Sequence, residues 1–445
     1  MKKNKKIKRK LKRKFKILLW IILIIFFSIV IKKLFIKKEY VSKIKFNNKE
    51  IIIEVLDKDT SCIISDTTPT LHDNWIKNID KKCHLNYINN SNIYINVNDE
   101  IINLSKDTIN YIDIEDENKI YIAINDSYEY IKMYVGDKNK LQVRSTNKDV
   151  AYIDDNGKII GLNKGTAKIY IEFNDKIKEI TVVVTDLITK KPNIFDHNKE
   201  ALKCNQFTSD ENDLLDNILE SRIKSVGYQT RAGAVEAARF LTLEFPYKIN
   251  YFNENGRLTT NGIDAEGRYY HIGLYLHESR FSSISNSTSE PKIWGCSLYS
   301  TPQKKYLLNG LDCSGFVSWT LLNAGFDIKD IGAGFKDGDD NDLTDYGDIK
   351  KLNNSLKISE IKVGDLLHSA HVGGHIAMIV GIENDTFYVA QALWNNAPYS
   401  LTKRNTNSNY VQITQYNKNE IINVFDEVIL MDKYYEKDGK LTNMW

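Results

Sequence analysis

The carboxy-terminal half of the chain is organised around the stretch LDCSGFVSWTLLNAGF, residues 311–326. Apolar side chains recur in it every three or four residues, which predicts a helix that starts near Cys313, ends at Gly325 and buries one face. A cysteine at a helix amino terminus lies beside unpaired N–H groups and the positive end of the dipole, and both favour the thiolate. The same N–H groups can stabilise an oxyanion that develops next to the sulfur. Cys313 is therefore the candidate nucleophile, and a small buried packing residue is the alternative.

A thiol nucleophile needs a base, and the sequence offers one in a predicted β-hairpin further along the chain. The run HIAMIVG begins at His375, a turn follows at Glu383–Asp385, and the run TFYVAQA contains Gln391. With the hairpin centred at residue 383 or 384, His375 and Gln391 are cross-strand neighbours on one sheet face, opposed or diagonal. Gln391 could then hold the second imidazole nitrogen and orient the ring, as the third member of a catalytic triad does.

These segments together resemble the NlpC/p60 family of cell-wall cysteine peptidases. The resemblance rests on DCSGFV at 312–317, GDL at 364–366, the strand that opens with His375, and the dipeptide QA at 391–392. It implies a papain-like α+β fold and hydrolysis of amide bonds in peptidoglycan stem peptides, with no metal and no organic cofactor. It also implies the roles: Cys313 is the nucleophile, His375 the general base and then acid, and Gln391 the orienting group.

A segment upstream, PKIWGC at residues 291–296, is similar to the P-Y-x-W-G-G stretch of the same family. Lys292 stands where that family usually has an active-site tyrosine, and Cys296 replaces the second glycine. The resemblance implies that the substrate site is lined by Asp312, Ser314, Trp294 and Gly374.

Three histidines near the candidate base have a spacing that could gather zinc. They are His368, His371 and His375. Gly373 and Gly374 would break any helix needed to align them, so the sequence predicts loop histidines and one base rather than a metal site.

The net charge of +3 is distributed very unevenly along the 445 residues. Residues 1–38 hold 15 Lys and Arg and no acidic residue, which leaves 46 basic and 58 acidic residues in 39–445, a net charge of −12. Phosphate binding needs cationic patches, so this acidic excess argues against nucleic acid as a partner of the main body.

An apolar run directly after the basic tail predicts a membrane anchor. The run 17–31 would span about 22 Å as a helix, and flanking lysines together with the apolar residues 34–36 extend its reach. The run is not followed by the small residues that signal-peptide cleavage requires. The sequence therefore predicts a cytoplasmic tail, 1–16, a single-pass transmembrane signal anchor, 17–36, and an extracytoplasmic body, 39–445.

Export would place the five cysteines in an oxidising compartment. Cys62 and Cys83 are close enough in sequence to bridge, and Cys204 and Cys296 form a further candidate pair. One thiol must then remain, and an odd cysteine in an exported protein is a candidate for reactivity.

Short alternating apolar runs rich in β-branched residues predict antiparallel strands throughout 39–187. Within this region, VGD at 135–137, DNGK at 155–158 and KGTA at 164–167 resemble the group 2 bacterial immunoglobulin-like (Ig-like) domain, which implies a β-sandwich. Asn156-Gly157 predicts a type I′ hairpin turn.

The domain organisation expected from these patterns has three extracytoplasmic parts. They are a β-rich region, 39–128, which is a candidate degenerate Ig-like module, the Ig-like domain, 129–187, and the peptidase domain, 188–445. The last begins with a helical extension in which helices are predicted from Ser209 to Gly227 and from Thr230 to Pro246.

The sequence thus predicts a membrane-anchored cysteine peptidase that acts on peptidoglycan stem peptides alongside cell-surface, secretion or conjugation machinery. Two alternatives remain open. The first is another Cys–His amidase or a transglutaminase-like acyl transferase, and the second is an Ig-like adhesin or scaffold whose cysteine domain is inactive.

Overall fold

The computed structural model describes residues 40–47, 50–88, 91–107, 111–136, 140–189, 199–251, 294–298, 307–308, 310–326, 347–353, 358–369, 374–393 and 410–445. The predicted tail, 1–16, and the predicted anchor, 17–36, lie outside these residues. Within them, no helix is both long enough and apolar enough to cross a membrane. The chain forms two compact units: the first contains the described residues up to Ile114 together with Ile131–Lys140, and the second contains Glu115–Tyr130 together with Leu141–Trp445.

The described chain between residues 40 and 189 consists mostly of strands, in agreement with its alternating apolar pattern. In chain order the strands are β1 (Val41–Asn47), β2 (Glu50–Val55), β3 (Ser61–Ser65), β4 (Ile76–Lys77), β5 (Lys82–Asn86), β6 (Asn92–Val97), β7 (Glu100–Asn103), β8 (Tyr111–Ile114), β9 (Lys119–Ile124), β10 (Ser127–Glu129), β11 (Ile131–Val135), β12 (Leu141–Ser145), β13 (Ala151–Ile153), β14 (Lys158–Gly161), β15 (Gly165–Phe173) and β16 (Lys176–Thr189). A short helix, α1 (Leu104–Asp107), follows β7.

The first unit has an apolar core between two antiparallel sheets, of strand order β1-β2-β5 and β4-β3-β6-β7. Alternate residues of β2, namely Ile51, Ile53 and Val55, are buried in this core because successive side chains of a strand point to opposite faces. A disulfide between Cys62 on β3 and Cys83 on β5 joins the two sheets and confirms the first of the predicted pairings. Strands β8 and β11 form an additional antiparallel pair in this unit.

The second unit begins with two further sheets, of order β12-β15-β16-β9 and β10-β14-β13. The start of these two sheets in the chain does not coincide with the predicted domain boundary at 128/129. Strands β9 and β10 belong here, with β9 parallel to β16, whereas β11 pairs with β8 in the first unit. Strands that are distant in sequence leave no sign of their pairing in local periodicity, so the sequence pattern could not indicate these partners.

The predicted two-residue turn at Asn156-Gly157 is instead part of a four-residue connection. Asp154 caps it: its carboxylate accepts hydrogen bonds from the backbone N–H groups of Asn156 and Lys158, and Gly157 has a φ of 80°. A two-residue turn with positive φ at both positions does occur, at Asn174-Asp175 between β15 and β16.

The rest of the second unit combines helices with one large sheet, as the α+β prediction requires. Its helices are α2 (Ser209–Val226), α3 (Arg231–Arg239), continued by a π-helical turn (Phe240–Glu244), α4 (Cys313–Asn323) and α5 (Lys418–Val424). Its strands are β17 (Ser297–Leu298), β18 (Leu307–Leu308), β19 (Asp348–Lys351), β20 (Leu366–Ser369), β21 (His375–Glu383), β22 (Thr386–Ala392), β23 (Val411–Asn417) and β24 (Glu427–Leu430), with 3-10 turns at Ile358–Glu360 and Met431–Lys433.

Six of these strands form an antiparallel sheet of order β19-β24-β20-β21-β22-β23. Apolar residues on one face of β21, such as Ile376 and Met378, lie in a core with residues of α4, while Ala377 and Ile379 lie in a second core. The central strands are therefore buried on both faces, so they read as continuous apolar runs rather than as alternating ones.

The β-rich and helical parts of the second unit are joined by buried charges and by a shared apolar core. The guanidinium of Arg222, on α2, lies 2.8 Å from the carboxylate of Asp126 and 2.9 Å from that of Glu244. Ala123 and Ile188 belong to the same apolar core as α2, α3 and α4. These strands therefore pack as part of the helical domain and are not held only through a linker.

Candidate active site

Cys313 is the first residue of α4, as the sequence predicts. Asp312 is the helix cap: its Oδ1 atom accepts a hydrogen bond of 2.6 Å from the backbone N–H of Gly315. The hydroxyl of Ser314 donates to the same carboxylate at 3.3 Å. Asp312 and Ser314, predicted to line a substrate site, therefore also fix the amino terminus of the helix.

Helix α4 is buried on all sides rather than along the single face expected from its apolar spacing. Every residue from Cys313 to Leu321 is buried, including the polar Ser318 and Thr320. These two hydroxyls donate to backbone carbonyls within the helix, which satisfies them without water. The burial follows from position, because α4 packs against α3 and against strands β21 and β22.

The segment Trp294-Gly295-Cys296 supports α4. The indole of Trp294 is 1% exposed and lies 5.5 Å from that of Trp319, measured between ring centroids. Cys296 forms a disulfide with Cys204, which confirms the second predicted pairing. Gly295 has a φ of 85°, and a Cβ atom there would lie 2.6 Å from the carbonyl oxygen of Leu202. Trp294 thus contributes packing beneath the site rather than an open surface.

The GDL segment also has a structural role. The Asp365 carboxylate accepts hydrogen bonds from the guanidinium of the fully buried Arg231 and from the backbone N–H groups of Lys362 and Met431. Gly364 has a φ of 94°, and a Cβ atom there would lie 2.7 Å from the Arg231 side chain. The motif therefore anchors the start of β20 to α3.

His375 and Gln391 are in direct contact. The Nε2 atom of His375 lies 2.8 Å from Oε1 of Gln391, and both residues are completely or almost completely buried. The register of β21 and β22, which pairs Met378 with Ala390, makes the two residues diagonal neighbours, as the hairpin geometry predicts. Gly374, with a φ of 66°, directly precedes the histidine.

The amide of Gln391 is held by the next strand. Its Nε2 atom donates to the hydroxyls of Thr414 at 2.9 Å and Tyr416 at 3.0 Å, both on β23. Because the Gln391 nitrogen donates its hydrogen bonds to β23, the Gln391 oxygen faces the imidazole. This oxygen accepts a hydrogen bond from the Nε2–H group of His375. Nδ1 is then the nitrogen with the basic lone pair.

Burial lowers the pKa of His375 to about 4, against a smaller opposing effect of its hydrogen bond with Gln391. Positive charge on His368 also lowers the pKa of His375. The imidazole ring stacks on Phe425 with 5.9 Å between ring centroids. The ring is therefore neutral near pH 7, so it is in the protonation state that a general base needs.

The structure thus brings His375 and Gln391 together on strands that pack against the helix beginning with Cys313. Lys292 and His371 lie outside the described residues. Sequence reasoning missed Thr414, Tyr416 and Phe425; the alternating run VQITQYN at 411–417 was the available signal for their strand. Among the described residues, no three His, Cys, Asp or Glu side chains are grouped so as to hold a metal ion.

Comparison with known proteins finds distant similarity to solved structures and no matching family. No protein-family model and no curated protein matches the chain. Among solved structures, domains 4 and 5 of the S-layer protein SbsC share 11% identity, with 28% of this chain and 70% of that chain covered and a TM-score of 0.15. A carboxy-terminal 282-residue fragment of intimin, solved with the intimin-binding domain of the translocated intimin receptor, shares 13% identity over 41% of this chain and 78% of that chain, also with a TM-score of 0.15. Likeness at this level assigns neither a fold nor a function.

Proposed function

We propose that this protein is a cysteine peptidase that hydrolyses amide bonds in the stem peptides of peptidoglycan. Cys313 is the nucleophile, His375 the general base and then acid, and Gln391 the residue that orients the imidazole. The observation that carries the proposal is the buried His375–Gln391 pair at the beginning of a strand on which the helix of Cys313 packs. A helix with a nucleophile at its amino terminus against an antiparallel sheet with the base also supports a papain-like fold.

The reaction begins with proton transfer from the thiol of Cys313 to Nδ1 of His375. The sulfur attacks the carbonyl carbon of the scissile amide, and N–H groups of the first turn of α4 stabilise the oxyanion. The His375 imidazolium, held through Nε2 by Gln391, then donates its proton to the leaving amine as the C–N bond breaks. A thioester to Cys313 remains.

Deacylation uses the same groups in the second half of the cycle. Neutral His375 removes a proton from water, which attacks the thioester carbonyl, and the C–S bond breaks as the thiolate of Cys313 leaves and takes up the proton. The product is a free carboxylic acid, so both termini of the cut peptide bond appear in solution. None of these steps needs a metal ion or an organic cofactor.

The proposal includes an extracytoplasmic location for residues 39–445, behind a single-pass anchor at residues 17–36 whose amino end is cytoplasmic. The two disulfides, Cys62–Cys83 and Cys204–Cys296, support this location because disulfides persist in oxidising compartments. A hydrolase held there would act on peptidoglycan beside the membrane, together with cell-surface, secretion or conjugation machinery.

Digestion of purified peptidoglycan, followed by mass spectrometry of the released muropeptides, tests the proposal. The wild-type protein is expected to generate new free amino and carboxyl termini, and Cys313→Ala to be at least about a thousandfold slower. New cross-links instead of new termini would indicate acyl transfer. No change in either product with folded wild-type protein would favour the adhesin or scaffold alternative.

A further inference from the structure

A cavity of 370 Å³ lies within the second unit, between the strands β9 and β10 on one side and helix α2 on the other. Its volume falls in the range of about 300–1,000 Å³ that is usual for small-molecule sites. Several residues of its wall, such as Lys119 and Glu220, are exposed, so the cavity opens at the surface. Its described lining includes none of Cys313, His375 and Gln391, so it is a separate feature from the candidate active site.

Helix α2 supplies one polar wall of this cavity. Asn217, Ser221 and Lys224 are spaced by four and three residues, which places them on one face of the helix. The amide nitrogen of Asn217 donates to the backbone carbonyl of Asp213 at 2.6 Å, so its oxygen faces away from that bond and can accept another. The helix thus presents an amide oxygen and a hydroxyl, both uncharged, to the cavity.

The strand side contributes a buried hydroxyl that the protein itself does not use. Tyr128, on β10, is 4% exposed and lines the cavity, and no described residue forms a hydrogen bond with its hydroxyl. Burial raises the pKa of Tyr128, and the negative charges of Glu115 and Glu117 raise it further, so the hydroxyl stays protonated and can donate. Because nearly all buried polar groups are hydrogen-bonded, this hydroxyl points to a ligand that supplies an acceptor.

The charges around the cavity balance one another. Lys224 lies 3.0 Å from the carboxylate of Glu117 and 2.9 Å from that of Glu220. The remaining cation in the wall, Lys119, lies over the ring of Tyr121, with its Nζ atom 4.8 Å from the ring centroid. Two acidic and two basic side chains leave no net charge, so the cavity favours a neutral ligand over an anion or a cation.

We propose that this cavity is a binding site for a neutral saccharide. Sugar hydroxyls both donate and accept, so they can pair with the hydroxyls of Tyr128 and Ser221 and with the amide oxygen of Asn217. The ring of Tyr121 offers an apolar surface to the C–H groups of the sugar. The saccharide is the glycan strand that carries the stem peptide, an assignment that rests on the proposed function.

Calorimetric titration of the full-length Cys313→Ala protein with chitotetraose, a neutral oligomer of N-acetylglucosamine, tests the inference without interference from hydrolysis. Tyr128→Phe removes only the buried hydroxyl and should weaken binding roughly three- to tenfold. Ser221→Tyr places a large side chain in the cavity and should abolish binding. Ser209→Tyr is the matched control, because it makes the same change at an exposed position of α2 outside the cavity and should bind as the parent protein does.

Three results would overturn the inference: no saccharide binding by the folded parent protein, binding that neither cavity variant changes, or binding of a free stem peptide that Ser221→Tyr abolishes. The last would identify a peptide site. Tyr128→Phe keeps the aromatic ring, so it decides the question even if Ser221→Tyr does not fold. Stronger binding of cellotetraose, the corresponding glucose oligomer, would overturn the assignment to the glycan strand.

Kinetics with Cys313 intact separates this inference from the proposed function. The ratio of KM for peptidoglycan fragments that retain glycan to KM for free stem peptides should rise at least about threefold in Tyr128→Phe and stay unchanged in Ser209→Tyr. Hydrolysis with an unchanged ratio in Tyr128→Phe would overturn the glycan assignment. Saccharide binding without any hydrolysis by the wild type would refute the proposed function and support the saccharide site.

Discussion

Nε2 of His375 lies 2.8 Å from Oε1 of Gln391, and the two residues meet across neighbouring antiparallel strands inside the protein. This contact fixes which imidazole nitrogen carries a hydrogen and which can accept one. The hydroxyls of Thr414 and Tyr416 fix the amide in turn, so three strands cooperate in presenting Nδ1 as a base.

The Gln391→Ala variant should separate orientation of the base from binding of substrate. It leaves the buried Nε2–H of His375 without an acceptor, a change worth about 1–3 kcal/mol, so kcat should fall roughly ten- to hundredfold with little change in KM. Tyr416→Phe removes one of two hydroxyls from the amide and should cost less than about tenfold. Steady-state kinetics on muropeptides measures both, and wild-type kcat in Gln391→Ala would contradict the assigned role.

The low pKa of His375 predicts a loss of stability in acid. Its pKa is about 4 in the folded protein and near 6.5 in the unfolded chain, so the unfolded chain binds more protons between these values. The free energy of unfolding should therefore fall by on the order of 3 kcal/mol as the pH drops from 6.5 to 4, with no further contribution below that range. Urea denaturation at pH 7 and pH 4.5 measures this change. His375→Gln should lose less stability over the same interval; an equal loss would show that the histidine is not responsible.

Substitutions of Asp312 test its role as the cap of α4. Asp312→Ala removes the acceptor of the Gly315 N–H and should lower the free energy of unfolding by about 0.5–2 kcal/mol. Asp312→Asn, the matched control, retains a capping oxygen and should stay close to wild type. Thermal or chemical denaturation distinguishes them, and equal stability of the Ala and Asn variants would rule out a capping contribution.

Substitutions of Arg222 and of Lys224 test how the β-rich strands of the second unit are held to its helical part. Arg222→Met leaves the carboxylates of Asp126 and Glu244 buried without their cation and should cost about 3–5 kcal/mol. Lys224→Met, two residues further along α2, breaks only exposed pairs and should cost no more than about 1 kcal/mol. Denaturant titration of a protein comprising residues 39–445 reports both; similar losses in the two variants would mean that the buried ion pairs do not hold the strands.

The features that could be predicted from the sequence are those that depend on short stretches of neighbouring residues. Capping and apolar spacing gave the helix that begins at Cys313, and the hairpin register gave the contact of His375 with Gln391. Both disulfide pairings also agree with the structure, one of them across 92 residues.

The features that could not be predicted depend on contacts between distant segments. Strand β9 pairs in parallel with β16, and β11 pairs with β8 in the first unit. Neither pairing can be recognised from the residues of one segment alone. The burial of α4 from Cys313 to Leu321 follows from packing by α3, by Trp294 and by the sheet, while its own spacing indicated one buried face. The amide-holding hydroxyls of Thr414 and Tyr416 became recognisable only once β23 was known to lie beside β22.

The most direct test of the account is the reactivity of one sulfur. The rate constant for alkylation of Cys313 by iodoacetamide should be measured near pH 7 in wild type and in His375→Ala, with folding verified by circular dichroism. If His375 activates the thiol, the wild-type rate should exceed that of the folded variant by at least about tenfold. Equal rates, or a wild-type Cys313 that does not react, would contradict the assignment of Cys313 and His375 as nucleophile and base.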